Sequence, residues 1–252
     1  MALKYTLIIL LSLFLFGGCT DLDEESTTYI NEEEYVVFPE MDGEVAYHMK
    51  KYLINYFKSI AIGSEFGDKT RVVKKWKTPM KIFLGGEPTD TLHKELGLII
   101  NEINGYATDG FSIEEVTDSL DSNFYIYFGS SSNYAKQHTY LAQLIVENKG
   151  LFTFYHESDF WIYKGHMYVD TERSFIEEQR HILREELTQA LGLANDIPHD
   201  SFSIFYNQPS TTTEYSSLDI EVIRLLYHPS IIAGLGEDNV QSSLESLLGV
   251  DN

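Results

Sequence analysis

Apolar residues follow two different spacings along the chain, and each spacing predicts a different element. Recurrence every three or four positions predicts an amphipathic helix, and short crowded runs predict buried strands. The first helical stretch follows Asp42, whose side chain can cap it. Its apolar face consists of Val45, Met49, Tyr52, Leu53, Tyr56, Phe57 and Ile60. The segment 63–70 then breaks the pattern.

Four short apolar runs predict the strands of a small sheet. They span 78–86, 123–129, 150–156 and 160–169. Residues 157–159 form the turn between the last two runs. The stretch 130–145 has a mixed pattern, which fits either a loop with a short helix or an insertion.

A second helix is predicted between the first two runs. Pro88 suits its first turn, and Asn104 with Gly105 suits its end. Its apolar face consists of Leu92, Leu96, Ile99, Ile100 and Ile103.

A third and longer helix follows the strands. Ser174 and Glu177 fit a capping box at its start. The helix runs to Leu191, and Gly192 fits its C-terminal stop. Its apolar positions are Ile176, Leu183, Leu187, Ala190 and Leu191.

Two further helices complete the predicted domain, one over 217–228 before Pro229 and a short one over 238–248. The order of elements predicts a mixed α/β (α+β) fold with a small mixed sheet packed on helices. We predict a single domain over 41–252. Its sheet-and-helix lobe covers 41–192, and a helical C-terminal lobe covers 193–252.

The polar residues of the third helix also share one face. With about 100° between successive residues, that face carries Glu178, His181, Glu185, Gln189 and Gly192. Taken alone, such a stripe is typical of a solvated surface, on which His181 and Glu185 form an ordinary pair.

The N-terminal residues have the pattern of a targeting signal. Lys4 precedes an almost wholly apolar run, 6–16, and two glycines then lead to Cys19, the only cysteine. The run is too short to span a membrane, which takes about 20 residues. Small residues before a single cysteine resemble the lipobox of bacterial lipoproteins, although Phe16 departs from its usual small residue.

The lipobox resemblance implies that residues 1–18 are a signal peptide and that Cys19 carries lipid, which would anchor the protein to a membrane. The alternative is an idle thiol near an ordinary signal peptide. We accordingly predict a lipid-anchored protein of the bacterial cell envelope, at the outer membrane, on its periplasmic or surface-exposed face.

Composition adds a tether and excludes one class of partner. Residues 19–40 are polar and acidic, which predicts a flexible tether; the acidic residues after Cys19 also resemble the surface-export signal of some Gram-negative bacteria. The chain has 18 Lys and Arg against 39 Asp and Glu, a net charge of −21. Such a charge repels phosphate backbones, so we predict no nucleic-acid partner.

The end of the third helix, "EELTQALGLAN", has a framework that resembles the zinc-binding helix of the metzincin proteases. In that motif the three ligand places are taken by Glu185, Gln189 and Asn195. Glu186 takes the place of the general base, and Gly192 stands where the motif has its glycine.

Two downstream segments extend the resemblance to residues 76–230. "SIFYN" at 203–207 resembles the turn beneath the metzincin zinc, with Phe205 in place of methionine, and "LDIEVIRLLYHP" resembles the helix after it. The same segments, with "REELTQALGLAND", look like the bacterial lipoproteins grouped as domain of unknown function 2927. The resemblances imply a zincin-like fold and a family-wide loss of the ligand histidines.

The substituted ligand places imply a loss of the zinc chemistry. Glu185, Gln189 and Asn195 offer one carboxylate and two amides, whereas zinc prefers imidazole or thiolate. Without a metal, water keeps a pKa of about 15.7, and Glu186 alone cannot activate it. We therefore predict no cofactor and no bound metal. In this interpretation Glu185 and Gln189 hydrogen-bond the backbone of the loop 194–202, and Arg184 pairs with a neighbouring carboxylate.

Two active alternatives stay open. His181, Glu185 and Asp196, joined by His199, form a displaced metal site in the first. In the second, Glu185 and Glu186 act as a metal-free acid and base pair, although adjacent helix residues diverge by about 100°. The other histidines lack ligand spacing and suit surface or boundary positions: His93, His138, His156, His166 and His228.

The leading functional prediction is a binding or scaffolding module that has kept a protease-like domain without the reaction. Its ligand would be a peptide, a glycan or another envelope protein that lies in the former cleft between the sheet and the third helix. The alternative is a hydrolase, a peptidase with a non-standard metal or carboxylate site. A purely structural envelope component is the third possibility.

Overall fold

The part of the chain that the structure describes is residues 43–64 and 70–250 of a computed structural model. The predicted signal 1–18, Cys19, the tether and Asp42 lie outside these ranges. Among the described residues, no helix has both the length and the hydropathy that a membrane span requires.

Six strands of the described ranges form one mixed sheet. They are β1 (Lys75–Trp76), β2 (Met80–Gly86), β3 (Ile113–Glu115), β4 (Phe124–Gly129), β5 (Gly150–His156) and β6 (Trp161–Asp170). The order is β1-β6-β4-β2-β3 with parallel pairs throughout, and β5 pairs antiparallel with β6. Strands β1 and β3 are too short to show a pattern, and sequence analysis missed both.

Helices pack against this sheet and against one another. The described ranges contain α1 (Gly43–Ala61), α2 (Asp90–Tyr106), α3 (Ser131–Gln137), α4 (Ala142–Glu147), α5 (Ile176–Gln189), α6 (Ser217–Leu226) and α7 (Glu237–Leu248). Helix α5 packs on β5 and β6 and contacts α2, whereas α1 packs on α6 and α7. Residues from the sheet and from helices early and late in the chain share one apolar cluster. The predicted mixed α/β class is confirmed.

The stretch 130–145, which the pattern left open, contains two short helices. Ser130 caps α3 by accepting a hydrogen bond from the Asn133 N–H, a 3₁₀ turn follows at Thr139–Leu141, and α4 then leads to β5. Tyr134 of α3 is fully buried and packs with Tyr168 and Leu151 in a second, smaller apolar cluster.

Helix α2 begins and ends later than predicted. Thr89 rather than Pro88 precedes it, and its side chain caps the Leu92 N–H. The helix continues through Asn104 and Gly105 to Tyr106. The Asn104 side chain instead exchanges two hydrogen bonds with the backbone of Ile113, at 2.7 and 2.9 Å. Asn104 therefore fastens β3 to the helix and does not end it.

The predicted capping box at the start of α5 is wrong. Phe175 is the cap residue and makes no side-chain cap bond, while the Ser174 hydroxyl is buried without a partner in the described part of the chain. Asp170, at the end of β6, turns the chain by accepting the Glu172 and Arg173 N–H groups. The capping box that does form lies at α6, between Ser216 and Asp219.

Candidate functional site

Helix α5 is buried on almost every side, so the predicted solvated stripe is wrong. His181 is 4% exposed and Gln189 is 6% exposed. The segment after the helix passes close to this face, and His181 Nδ1 donates a 2.7 Å hydrogen bond to the Thr212 carbonyl. The contact between His181 Nε2 and Glu185 Oε2, at 3.4 Å, is therefore an interior pair.

Arg184 ties α5 to α2 through the buried carboxylate of Glu95 and the partly exposed carboxylate of Glu102. Its guanidinium donates to Glu95 at 2.9 Å and also to Glu102, and its Cζ lies 4.6 Å from the ring centroid of Tyr215. Arg184 is 2% exposed and Glu95 is 1% exposed. Glu95 also accepts a 2.8 Å hydrogen bond from Arg180. The prediction that Arg184 pairs with a neighbouring carboxylate is confirmed.

The C-terminal end of α5 is closed by donors from distant parts of the chain. The Trp76 indole N–H donates to the Ala190 carbonyl and the Tyr227 hydroxyl donates to the Leu191 carbonyl, both at 2.9 Å. Gly192 then turns the chain with a φ of +115°. A Cβ at this position would lie 1.9 Å from the Lys74 carbonyl oxygen. Gly192 is thus required both by conformation and by space.

The loop after Gly192 separates the residues that the metzincin resemblance brings together. Gln189 donates from its amide to the Asp196 carboxylate. Asn195 donates instead to the carbonyl oxygens of Ile60 and Ile62 at the end of α1, at 3.0 and 3.2 Å. The predicted hydrogen bonds from Glu185 and Gln189 to the backbone of this loop are therefore wrong for the described residues: Gln189 binds the Asp196 side chain, and Glu185 pairs with His181. Asn195 anchors that loop to α1 and does not face Gln189.

The turn that contains Phe205 is hydrogen-bonded to this loop. Phe205 is fully buried, and its carbonyl accepts a 2.8 Å hydrogen bond from the Ile197 N–H. Asp219 of α6 accepts the Ser203 hydroxyl at 2.7 Å and the Ile204 N–H at 3.0 Å. Burial raises the pKa of Asp219 against the effect of these hydrogen bonds. The turn is therefore held by α6.

The surroundings of His181 favour its protonated form. Burial alone would lower the pKa of His181, but the hydrogen bond and charge of Glu185, with the Thr212 carbonyl, outweigh it and raise that pKa. A protonated imidazole has a proton for each partner, one for the carboxylate and one for the carbonyl.

Zinc does not fit the residues at the three ligand places. The Gln189 and Asn195 amides are hydrogen-bond donors within the fold, and Glu185 pairs with His181. A zinc site instead needs several free nitrogen, sulfur or carboxylate donors that converge in a tetrahedral array. Between residues 43 and 250, with 65–69 left aside, no group of three or more His, Cys, Asp or Glu side chains is placed to hold a metal.

Most of the predicted site residues do line one cleft, a cavity of about 520 Å³ between α5, the start of β5 and the segment 206–210. It includes His181, Glu185, Glu186, Gln189 and Asp196. Asn195, Phe205 and His199 are outside it, and His199 is exposed. With Glu147 and Glu178 the lining has five carboxylates against two basic side chains, Lys149 and His181. The cleft is therefore acidic.

The cleft continues along β5. A second cavity of about 320 Å³ shares Leu151, Phe152 and Ala194 with the first and is mainly apolar. Within the described ranges β5 pairs with β6 alone. The Asp170 N–H donates to the Lys149 carbonyl at the end of this ladder, so Lys149 and every second residue after it direct their backbone groups toward β6. The backbone N–H and C=O of Phe152 and Phe154 therefore point to the opposite edge of β5, away from β6.

Sequence analysis missed a cluster of histidine and tyrosine side chains that is centred on His166. His166 of β6 is 6% exposed, so the surface or boundary position predicted for it is wrong. It stacks on His138 with 4.0 Å between ring centroids and hydrogen-bonds Tyr134, Tyr140 and Tyr155. The histidines are far apart in the chain, and only the unusual density of tyrosine in 125–168 pointed to this region.

Comparison with known proteins places the chain in a family. A search of curated proteins finds no match. Among solved structures, the chain is similar to high choriolytic enzyme 1, a hatching enzyme zinc-protease from the medaka fish Oryzias latipes. The identity is 16%, the TM-score is 0.34, and the match covers 61% of this chain and 94% of that one. The model of the family described as "Protein of unknown function (DUF2927)" matches residues 50–246. The chain therefore belongs to the DUF2927 family, as the sequence motifs predicted.

Proposed function

We propose that this protein is a binding module that holds an extended, basic polypeptide segment along β5. The observation that carries the proposal is the strand edge, which faces two adjoining cavities and offers backbone groups at Phe152 and Phe154. An extended peptide can add to such an edge as a further strand, with affinity from main-chain hydrogen bonds and specificity from side-chain pockets.

The two cavities assign different side chains to the ligand. The cleft beside α5 has a surplus of carboxylates: Lys149 offsets the charge of Glu178, and Glu147, Glu186 and Asp196 also line the cleft, so it favours lysine or arginine. The cavity farther along β5 is lined by Leu141, Leu144 and other mainly apolar groups, so it favours an apolar side chain.

The engaged polar groups of α5 support binding rather than hydrolysis. Glu185 is paired with His181, and Gln189 is bonded to Asp196. These groups fix the wall of the cleft, which is what a preorganised binding surface requires. We accordingly propose that the module has no protease reaction.

We expect a fluorescently labelled decapeptide of alternating lysine and valine to bind the purified protein saturably in a polarisation assay. A glutamate-valine decapeptide should not bind. The double variant Glu147→Gln/Glu186→Gln removes two cleft charges, each worth roughly 0.5 to 1 kcal/mol, so the Kd should rise about five- to thirtyfold. Chromatography of the incubated peptide should recover it uncut.

The matched control is Glu114→Gln/Glu115→Gln, which removes two exposed carboxylates from β3 at the far end of the sheet order. Its Kd for the lysine peptide should equal that of the unchanged protein. Equal weakening in both variants would mean attraction to overall charge and would reject the cleft. Cleavage of the peptide that is lost in Glu186→Gln would establish the hydrolase instead.

The location of the module is the second part of the proposal. We propose that lipid on Cys19 anchors the protein to the bacterial envelope and that residues 20–40 are its tether, because an apolar run and two small residues precede this single cysteine. We expect the protein to fractionate with membranes and to incorporate labelled palmitate, and Cys19→Ala to lose the label. A Cys19→Ala protein that is still labelled would refute lipidation at this residue.

A further inference from the structure

A third cavity, of about 580 Å³, lies over the cluster of histidine and tyrosine described above. Tyr125, Tyr140, Tyr155 and Tyr163 contribute to its lining, together with His166. Its volume is within the range of about 300 to 1,000 Å³ that small-molecule sites occupy. Tyr140 also borders the cavity along β5, but Tyr163 does not. Tyr163 is 48% exposed and therefore presents its ring to solvent at the rim.

The floor of this cavity has a fixed pattern of hydrogen-bond donors. Burial, followed by the charges of His138 and Lys164, lowers the pKa of His166 to about 3, so its imidazole is neutral near pH 7. Tyr134 is fully buried and its hydroxyl contacts His166 Nδ1. His166 Nδ1 is the hydrogen-bond partner that the described residues give this hydroxyl, so the buried Tyr134 proton is satisfied when it is donated to Nδ1. The single imidazole proton is then on Nε2.

One phenolic proton is consequently left for a ligand. His166 Nε2 lies 3.1 Å from the Tyr140 hydroxyl and 3.3 Å from that of Tyr155, and the two hydroxyls are 2.7 Å apart. Because Nε2 is itself a donor, one hydroxyl can donate to the other, but the second has no acceptor among the described residues. The neighbouring imidazole of His138 also has no hydrogen-bond partner for its ring nitrogens in the described ranges.

The chemistry of the lining selects one class of ligand. Lys164 is the lining residue with a formal charge, and no carboxylate offsets it there, so its positive charge repels a cation that would otherwise be attracted to the tyrosine rings. The chain as a whole carries a charge of −21, which repels polyanions. What is left is a neutral ligand that offers apolar faces to the tyrosine rings and hydroxyl groups to the neutral donors. A pyranose ring has these two features.

We propose that this cavity is a binding site for a neutral saccharide, distinct from the peptide cleft. The sugar stacks on Tyr163 and accepts a hydrogen bond from the hydroxyl pair of Tyr140 and Tyr155. His166, held by Tyr134, positions that pair.

Isothermal titration of the purified full-length protein with two neutral trisaccharides, maltotriose and the trimer of N-acetylglucosamine, tests the proposal. At least one should bind saturably with a Kd that is unchanged between 50 and 500 mM salt, because no charges attract it. Tyr163→Ala should weaken the binding at least fivefold. Tyr52→Ala is the matched control, since Tyr52 has the same exposure of 48% but lies on α1, and this variant should leave the Kd unchanged.

Absence of saturable binding by both trisaccharides, or binding that Tyr163→Ala leaves intact, would overturn the proposal. Preferential binding of choline over both sugars would also overturn it, because that result would identify a cation cage. Thermal unfolding of Tyr163→Ala should match that of the unchanged protein, so a lost affinity reports the site rather than the fold. Its Kd for the lysine-valine peptide should likewise be unchanged, which separates this site from the cleft.

Discussion

The variant Arg184→Met should lose about 3 to 5 kcal/mol of unfolding free energy, the typical cost of breaking a buried ion pair. Glu95 would be left 1% exposed with a single remaining partner, Arg180, which is itself partly exposed. Methionine has a similar length and fills the space, so the loss reports charge rather than a cavity. Urea unfolding followed by tryptophan fluorescence measures the change.

The matched control for that substitution is Arg71→Met. The Arg71 side chain is 65% exposed and pairs at 2.7 Å with Glu237, which is itself 40% exposed, so its replacement should cost no more than about 1 kcal/mol. Arg184→Met/Glu95→Met should be more stable than the sum of the single losses, because it removes the stranded charge. An Arg184→Met protein within about 1 kcal/mol of the unchanged one would show that the pair contributes little to the fold.

Local patterns were sufficient for most elements of the fold. The run 150–156 became β5 with the same bounds, and the first and last helices agree to within one or two residues. The errors have a tertiary cause. Asn104 looked like a helix end because Asn before Gly is typical of one, but its side chain binds the backbone of β3. The two-residue β1 exists only because β6 offers a partner. Neither partner is visible in the local sequence.

The candidate site was predicted in part, for the same reason. Helical periodicity correctly grouped His181, Glu185 and Gln189 on one face, and they do line one cavity. Periodicity cannot say what covers a face, so it missed that the later segment around Thr212 buries this one. It also could not assign Asn195 to the end of α1, because the direction of a loop depends on distant contacts.

The same limit explains why the tyrosine and histidine cluster was missed. Tyr134 and His166 lie on different elements, and the sheet register brings Thr153 opposite His166. Sequence spacing rules detect ligands on one helix or in one turn, whereas this cluster is assembled by strand pairing. The density of tyrosine was visible, but core packing is its commoner use.

Gly192→Ala should lower the unfolding free energy by roughly 2 to 6 kcal/mol. A φ of +115° costs a non-glycine residue about 1 to 3 kcal/mol, and the added methyl group would overlap the Lys74 carbonyl oxygen, which costs about another 1 to 3 kcal/mol. The side chain of Lys74 is 1% exposed beside β1, so its backbone cannot move away freely. Urea unfolding of the purified variant measures the loss.

Gly97→Ala provides the opposite result from the same chemical change. Gly97 lies inside α2, is exposed, and has no atom within 4 Å of an added Cβ. Alanine there should stabilise the protein by about 0.5 to 1 kcal/mol, since glycine is a poor helix former. If Gly192→Ala were as stable as the unchanged protein, the loop after α5 would have to adopt another path. The hydrogen bonds from Asn195 to the end of α1 would then be lost, and Gly192 would not be the residue that fixes the wall of the cleft.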